Sequence, residues 1–141
     1  MTQISTDEAE NLVDEGVAFV DVRTTEEFAD GHVPGALNIP ISVSTPAGMQ
    51  PNADFLKVFS SVFQPGDRVI LACKAGGRSA RALAALKEAG FTNLLDMSAG
   101  FVGTKDAFGS PVPGWSAEGR EIATDASAEQ IYASLKVRAG L

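Results

Sequence analysis

The run RVILAC, Arg68 to Cys73, constrains the fold more than any other stretch. Val, Ile, Leu and Ala follow one another with no polar residue to face water. A strand of that kind is buried on both faces, as the central strands of parallel sheets are. Parallel strands need crossovers between them, and the flanking sequence supplies helical patterns. Ser5 and Thr6 make an N-cap ahead of a helix with Asp7 and Glu8 in its first turn and Ala9, Leu12 and Val13 at helical spacing; Gly16 stops it. VAFVDV, Val17 to Val22, is a buried strand. TTEEFAD opens a helix at Thr24 or Thr25 that ends at Gly31, and Ala36 to Ile39 is a short strand between Gly and Pro punctuation.

Ser42 to Asn52 reads as a loop, with Asn52 capping a helix whose apolar face is Phe55, Leu56, Val58, Phe59, Val62 and Phe63. After RVILAC a glycine turn leads into a helix from Ser79 to Ala89, closed by Gly90. TNLLDM, Thr92 to Met97, is a further strand. Ala99 to Trp115 is rich in Gly and Pro and reads as a surface loop. Ser127 and Gln130 have capping-box spacing, which predicts a last helix over about 127–139, whose short apolar stripe suits packing on its own domain more than on a second chain. The alternation predicts an α/β three-layer fold: a mostly parallel central sheet of about five strands, flanked by helices on both faces. The 141 residues suit a single domain, 1–141, with its core over about 4–120.

Composition removes several functions. The net charge is −7, whereas nucleic-acid binding needs a basic stripe, so neither nucleic acid nor an anionic membrane is expected as a partner. The first ten residues carry Asp7, Glu8 and Glu10 and no basic residue, so no secretory signal is read there, and a cytoplasmic location is expected. A single cysteine excludes an internal disulfide and a resolving-cysteine pair. With one histidine as well, a zinc site of nitrogen and sulfur ligands is not expected, and no cofactor is called for.

That single cysteine, Cys73, ends the central strand. In α/β folds the ligand site lies beyond the C-terminal ends of the strands. Lys74 and Ala75 begin the turn; Gly76 and Gly77 permit backbone angles that a Cβ would resist. Ser79 is read as the N-cap of the next helix. A helix N-terminus offers unpaired N–H groups and the positive end of a dipole. Lys74 and Arg78 add charge, and Arg81 stands one turn further on, facing solvent. Together these features favour an ionised sulfur, a nucleophile held in a cationic cradle. The bland alternative is an inert cysteine packed behind a turn. Two glycines, a lysine and an arginine in five residues are unusual for a mere connection.

Four stretches in order carry a resemblance: DVR at Asp21 to Arg23, GHVPGALNIP at Gly31 to Pro40, CKAGGRS at Cys73 to Ser79, and LKEAGFTNLLDM at Leu86 to Met97. With the cysteine at the strand end, the chain resembles the rhodanese family of sulfurtransferases over about residues 4–99. The resemblance implies the rhodanese-like form of the three-layer fold. It also implies covalent ping-pong catalysis in which the Cys73 thiolate takes a sulfur atom from a small anionic donor such as thiosulfate. The resulting persulfide then yields it to a thiophilic acceptor such as cyanide or a thiol. The loop amides of Lys74, Ala75, Gly76, Gly77, Arg78 and Ser79 would hold the substrate sulfur, and Lys74 and Arg78 would meet the sulfonate. An acceptor protein or a small thiol, and a monomer or a homodimer, stay open.

Related phosphatase loops space cysteine and arginine by five residues, around a tetrahedral oxyanion. Here four residues separate Cys73 from Arg78, which suits a single sulfur atom. Sulfur transfer therefore ranks above phosphatase or arsenate reductase chemistry. The rival from another class is a sulfur-carrier or protein-interaction module with a protein acceptor. His32 is expected to make a turn hydrogen bond rather than act as a base. Asp21 and Arg23 are expected to fix loops, and Trp115 to pack. Family members often carry a Gly-Gly pair followed closely by tryptophan; here Ala99 and Gly100 stand at the pair and Trp115 comes late. The intervening loop is expected to flank the mouth of the site.

Overall fold

A computed structural model describes residues 3–141; Met1 and Thr2, part of the N-terminal stretch read for a signal, lie outside the described residues. Five parallel strands form the central sheet: β1 (Gln3–Ile4), β2 (Ala18–Asp21), β3 (Leu37–Asn38), β6 (Val69–Ala72) and β7 (Leu94–Met97), in the spatial order β1-β7-β6-β2-β3. The apolar run Val69–Ala72 is its middle strand and is wholly buried. Successive side chains of a strand point to opposite faces, and two separate cores result. On one face Val20, Leu71 and Leu94 pack under helices α3 (Phe55–Val62), α4 (Gly77–Glu88) and α5 (Tyr132–Arg138). On the other, Phe19, Ile70 and Leu95 pack with Ala9 of α1 (Thr6–Asp14), Phe28 of α2 (Thr25–Asp30) and Trp115.

Of the residues the sequence offered, Ser5 caps α1 and Thr24 caps α2. Ser5 and Glu8 make a capping box, and Thr24 and Glu27 make another. Four local expectations give way to tertiary structure. Ser42 to Asn52 is not a plain loop but an antiparallel hairpin, β4 (Ser42–Thr45) with β5 (Gly48–Pro51). Thr45, Pro46, Ala47 and Gly48 form its turn, Gly48 at φ +100°. Asn52 does not cap α3: its side chain is taken by Pro40 O and by the Tyr132 hydroxyl, both at 2.8 Å, and the helix starts after Asp54.

The Gly and Pro stretch 99–115 likewise holds a hairpin, β8 (Gly103–Lys105) with β9 (Pro111–Pro113). Asp106 closes its tip by accepting from the N–H groups of Phe108 and Ser110. The last helix begins at Tyr132, not near Ser127. Gln130 is drawn instead to the sheet edge: its backbone O accepts from Asn38 N–H at 2.8 Å and its side chain donates to Ala36 O at 3.0 Å. Tyr132 and Leu135 then bury into the same core as Phe55 and Phe59, so α5 packs on its own domain.

Candidate active site

Cys73 follows β6 directly and is 2% exposed. The chain turns sharply at Gly76, whose φ is +102°. A Cβ there would stand 2.6 Å from Ser98 O, so both conformation and space require glycine. The turn aims the Gly76 N–H at the sulfur, N···Sγ 3.0 Å. Among the described residues it is the one backbone amide of the loop that donates to Sγ, where the sequence reading expected a ring of them. α4 starts immediately afterwards, so its N-terminal end and positive dipole face this loop.

Gly76, not Ser79, is therefore the N-cap. The left-handed turn starts the helix two residues earlier than the sequence suggests and places Ser79 inside its first turn. There the Ser79 side chain is fully buried: its hydroxyl donates to Gly76 O at 3.2 Å and lies 3.6 Å from Cys73 Sγ. Lys74, Ala75 and Gly77 are exposed on the rim of the loop. Arg78 is half-buried and turns away from the loop to Glu27: Nη1 and Nη2 donate to Oε1 and Oε2 at 2.6 and 2.9 Å. The two hydrogen bonds from Arg78 hold the Glu27 carboxyl down at about 2, from an ordinary 4.5, and the same partner raises Arg78. Lys74 is thus the cation of the loop left without a carboxylate partner among the described residues. Arg81 is exposed, as expected.

Behind the loop the segment after β7 acts as a brace. Phe101 N–H donates to Cys73 O at 2.7 Å and Val102 N–H to Lys74 O at 3.0 Å. Gly100, at φ +74°, passes so close that a Cβ would stand 2.5 Å from Lys74 O. Of the Ala99–Gly100 pair, only the second position demands glycine, and Ala99 is accommodated as a buried residue. Beside the loop lies a cleft of about 250 Å³ lined by Arg23, Glu27, Asp30, Gly31, Lys74, Phe101 and Val102. The segment entering the β8–β9 hairpin, Phe101 and Val102, forms one side of this cleft.

Asp21 and Arg23 play the supporting part expected of them. Arg23 is buried, donates to Asp21 through Nε and Nη2 at 2.7–3.1 Å and to Gly31 O at 2.6 Å, and lies over the Phe101 ring. The pair ties the end of β2 to the end of α2. His32 is buried as well; its Nδ1 bonds Phe28 O at 2.7 Å and its ring stacks on Phe28. It lines a different cavity, with Ala29 and Tyr132. Trp115 packs edge-on against Phe19 and donates its Nε1–H to Glu121 O at 2.9 Å.

Two residues near the loop escaped sequence reasoning. Glu27 reads only as one letter of the helical run TTEEFAD, and nothing in the sequence joins it to Arg78. Asp96 reads as one polar letter in a strand. It is 2% exposed, its Oδ1 has no hydrogen-bond partner among the described residues, and burial pushes its carboxyl up while the Ser79 hydroxyl opposes the shift.

The comparisons agree with this architecture. The profile of the rhodanese-like domain matches residues 5–107. Thiosulfate sulfurtransferase 16, chloroplastic, of Arabidopsis thaliana is 41% identical over 71% of this chain and 83% of its own length. Thiosulfate sulfurtransferase 18 of the same plant is 32% identical over 75% of this chain and 79% of its own. Longer relatives also match, the chain spanning 51% of one and 65% of another. Among solved structures, Rv0390 from M. tuberculosis superposes with a TM-score of 0.65 at 26% identity, covering 87% of this chain and 97% of that one. With its five-stranded parallel sheet and a cysteine at the end of the middle strand, the chain belongs to the rhodanese-like family, and its relatives mark it as a sulfurtransferase of that family.

Proposed function

We propose that the protein transfers a sulfane sulfur from thiosulfate, or a donor like it, through a persulfide on Cys73. One observation carries the reading: a lone, buried cysteine at the C-terminal end of the middle strand accepts a hydrogen bond from Gly76 N–H beneath the N-terminus of α4. The Cys73 thiolate attacks the outer sulfur of the donor. The donor's S–S bond breaks and its electron pair leaves with sulfite. The terminal sulfur of the persulfide keeps a negative charge, for which the Gly76 amide and the helix end are preorganised donors. An acceptor nucleophile then attacks that terminal sulfur, and the thiolate of Cys73 leaves with the electron pair. Lys74 meets the anionic end of the donor. Arg78, held by Glu27, shapes the loop and contributes field rather than a free fork of donors.

Intact mass after incubation with thiosulfate tests this, beside a Cys73→Ser control. The expected result is a gain of one sulfur atom in the wild type only, removed by cyanide. No gain, with Cys73 still open to alkylation, would overturn the choice of donor.

A second reading is a carrier that hands the persulfide to a protein, for which the β8–β9 hairpin would be the surface. Its tip presents Phe108 at 93% exposure, and Val102, at 51%, lies between hairpin and cleft. Both readings use the same persulfide and differ in the acceptor. Phe108→Ser separates them: transfer to cyanide is expected to stay unchanged, and transfer to a protein acceptor to fall.

A further inference from the structure

His32 and Asn38 both belong to GHVPGALNIP, and both line a cavity that sulfur transfer does not use. The cavity holds about 250 Å³ between α2, the end of β3, the chain over 124–131 and the start of α5. It shares no lining residue with the cleft beside Cys73: α2 gives Thr25, Phe28 and Ala29 to the cavity, and Glu27 and Asp30 to the cleft. His32 and Asn38 are each 1% exposed. His32 Nδ1 lies 2.7 Å from Phe28 O, and a carbonyl only accepts, so Nδ1 carries a proton. No acid lines the cavity to hold a second proton on the ring, so Nε2 is an acceptor. It is buried, with no hydrogen-bond partner among the described residues. Phe28 covers one face of the ring, stacked at 3.8 Å and 7°, which leaves the other face and the Nε2 edge to line the cavity. Asn38 spends both amide hydrogens on Asp21 O and Arg23 O, at 3.1 and 3.0 Å, which leaves Oδ1 as its acceptor.

We propose that this cavity binds a small neutral ring compound carrying one O–H or N–H donor, of the phenol or indole kind, with the donor on His32 Nε2. Four observations select that class. The buried polar atoms of His32 and Asn38 are both acceptors, so the ligand must donate. No Asp, Glu, Lys or Arg lines the cavity among the described residues, so nothing there offsets the cost of desolvating a charge. Thiosulfate and other ionic sulfur compounds are thereby excluded. Phe28, Ile131 and Tyr132 supply apolar and aromatic walls, which suit a flat ring. Size is the fourth: an apolar cavity of about 150 Å³ takes benzene, so this one has room for a substituted or fused ring. A single water would satisfy an acceptor, but its share of space is about 30 Å³ and the apolar walls would stay unfilled. A ring that brings its own donor keeps the hydrogen bond and covers those walls as well. The inference is independent of the sulfur-transfer reading.

His32 is the one histidine of the chain, so its imidazole ¹⁵N signals report this site alone. The test is titration of p-cresol and of indole into the ¹⁵N-labelled 141-residue chain. The expected result is a saturable upfield shift of Nε2 as its lone pair accepts, with Nδ1 nearly still because Phe28 O keeps it. Toluene has the shape of p-cresol without the donor. It is expected to bind about fivefold more weakly and to leave Nε2 in place. Benzoate, which is charged, is expected not to bind. No saturable shift with either donor compound would overturn the site. Toluene binding as well as p-cresol would overturn the hydrogen bond that defines the ligand class.

A double variant, Ala29→Leu with Ala133→Leu, ties binding to the cavity. Both residues line it from exposed positions, one on α2 and one on α5, and leucine suits a helix. The larger side chains take up volume that the ring needs and are expected to abolish the Nε2 shift with p-cresol. Persulfide formation is expected to stay unchanged, because neither residue lines the cleft beside Cys73. A double variant that binds p-cresol as the wild type does would place the ligand elsewhere on the surface and overturn the proposal. A wild type that gains no sulfur from thiosulfate would sink the functional reading and leave the binding result standing, so the two failures are told apart.

Discussion

Charge pairs around Cys73 differ in what they do when a proton is added. Glu27 is held at about 2 by Arg78, below its ordinary 4.5. A carboxyl lowered on folding contributes stability that is fully present above its unfolded value and is lost as pH falls through its folded value. The stability gap between the wild type and Glu27→Gln is therefore expected to close between about pH 4.5 and about pH 2. Urea unfolding at stepped pH checks it; a gap that persists at the acid end would place the effect in packing. Asp96 has the opposite sign, because burial raises it. Its contribution is present at acid pH and lost as pH rises through the folded value, so Asp96→Asn should gain on the wild type as pH rises. Burial raises the Asp21 carboxyl too, against the opposing hydrogen bonds from Arg23. Removing the guanidinium in Arg23→Met strands the Asp21 carboxyl and should cost about 3–5 kcal/mol in the same unfolding experiment.

At the scale of elements, the glycine loop shows which parts of a site are legible in sequence. CKAGGRS announces a cysteine at a strand end followed by a tight glycine turn into a helix, because residue types and their order carry that information. The helix start was misplaced because Ser79 has the chemistry of an N-cap, and only the tertiary contact of Gly76 with Ser98 shows that the turn comes earlier. The brace formed by residues 98–103 was invisible for the same reason: its backbone hydrogen bonds to Cys73 O and Lys74 O leave no mark in composition. Gly100 was legible as a conspicuous glycine, but not as the point where two backbones nearly touch. Gly100→Ala should therefore damage the loop more than the cost of an unfavourable φ, about 1–3 kcal/mol, would suggest, since the backbone of Lys74 must move as well. Persulfide formation should fall further than stability does. Equal residual activity per folded molecule would show that the brace does not position Cys73. Hairpins β4–β5 and β8–β9 were hidden by prolines, which weaken a strand reading although edge strands tolerate them.

Taken whole, the molecule wraps its own sheet. The family profile ends at residue 107, yet Trp115, Tyr132 and Leu135 beyond it are buried. Trp115 belongs to one core and Tyr132 and Leu135 to the other, so the intervening chain must travel around an edge of the sheet. It does so past β3: Ala123 pairs with His32, and Gln130 bonds Ala36 and Asn38. Arg120 anchors the start of this strap to α1 and its surroundings through Asp7, Glu10 and Glu118, and lies over Trp115. The strap thereby covers a strand edge that would otherwise offer free N–H and C=O groups to another chain. The last residues were legible as a helix with a small apolar stripe, but the strap's pairing with β3 was not, because Gln130 carries no strand signal. If the strap completes both cores, Leu135→Ala should destabilise the entire protein by about 2–5 kcal/mol, as loss of a core leucine does, and in one cooperative transition. Fluorescence of Trp115, in the opposite core, should report the same urea midpoint as far-ultraviolet circular dichroism. Two separate transitions would mean that α5 docks as an independent appendage and that the sheet is stable without it.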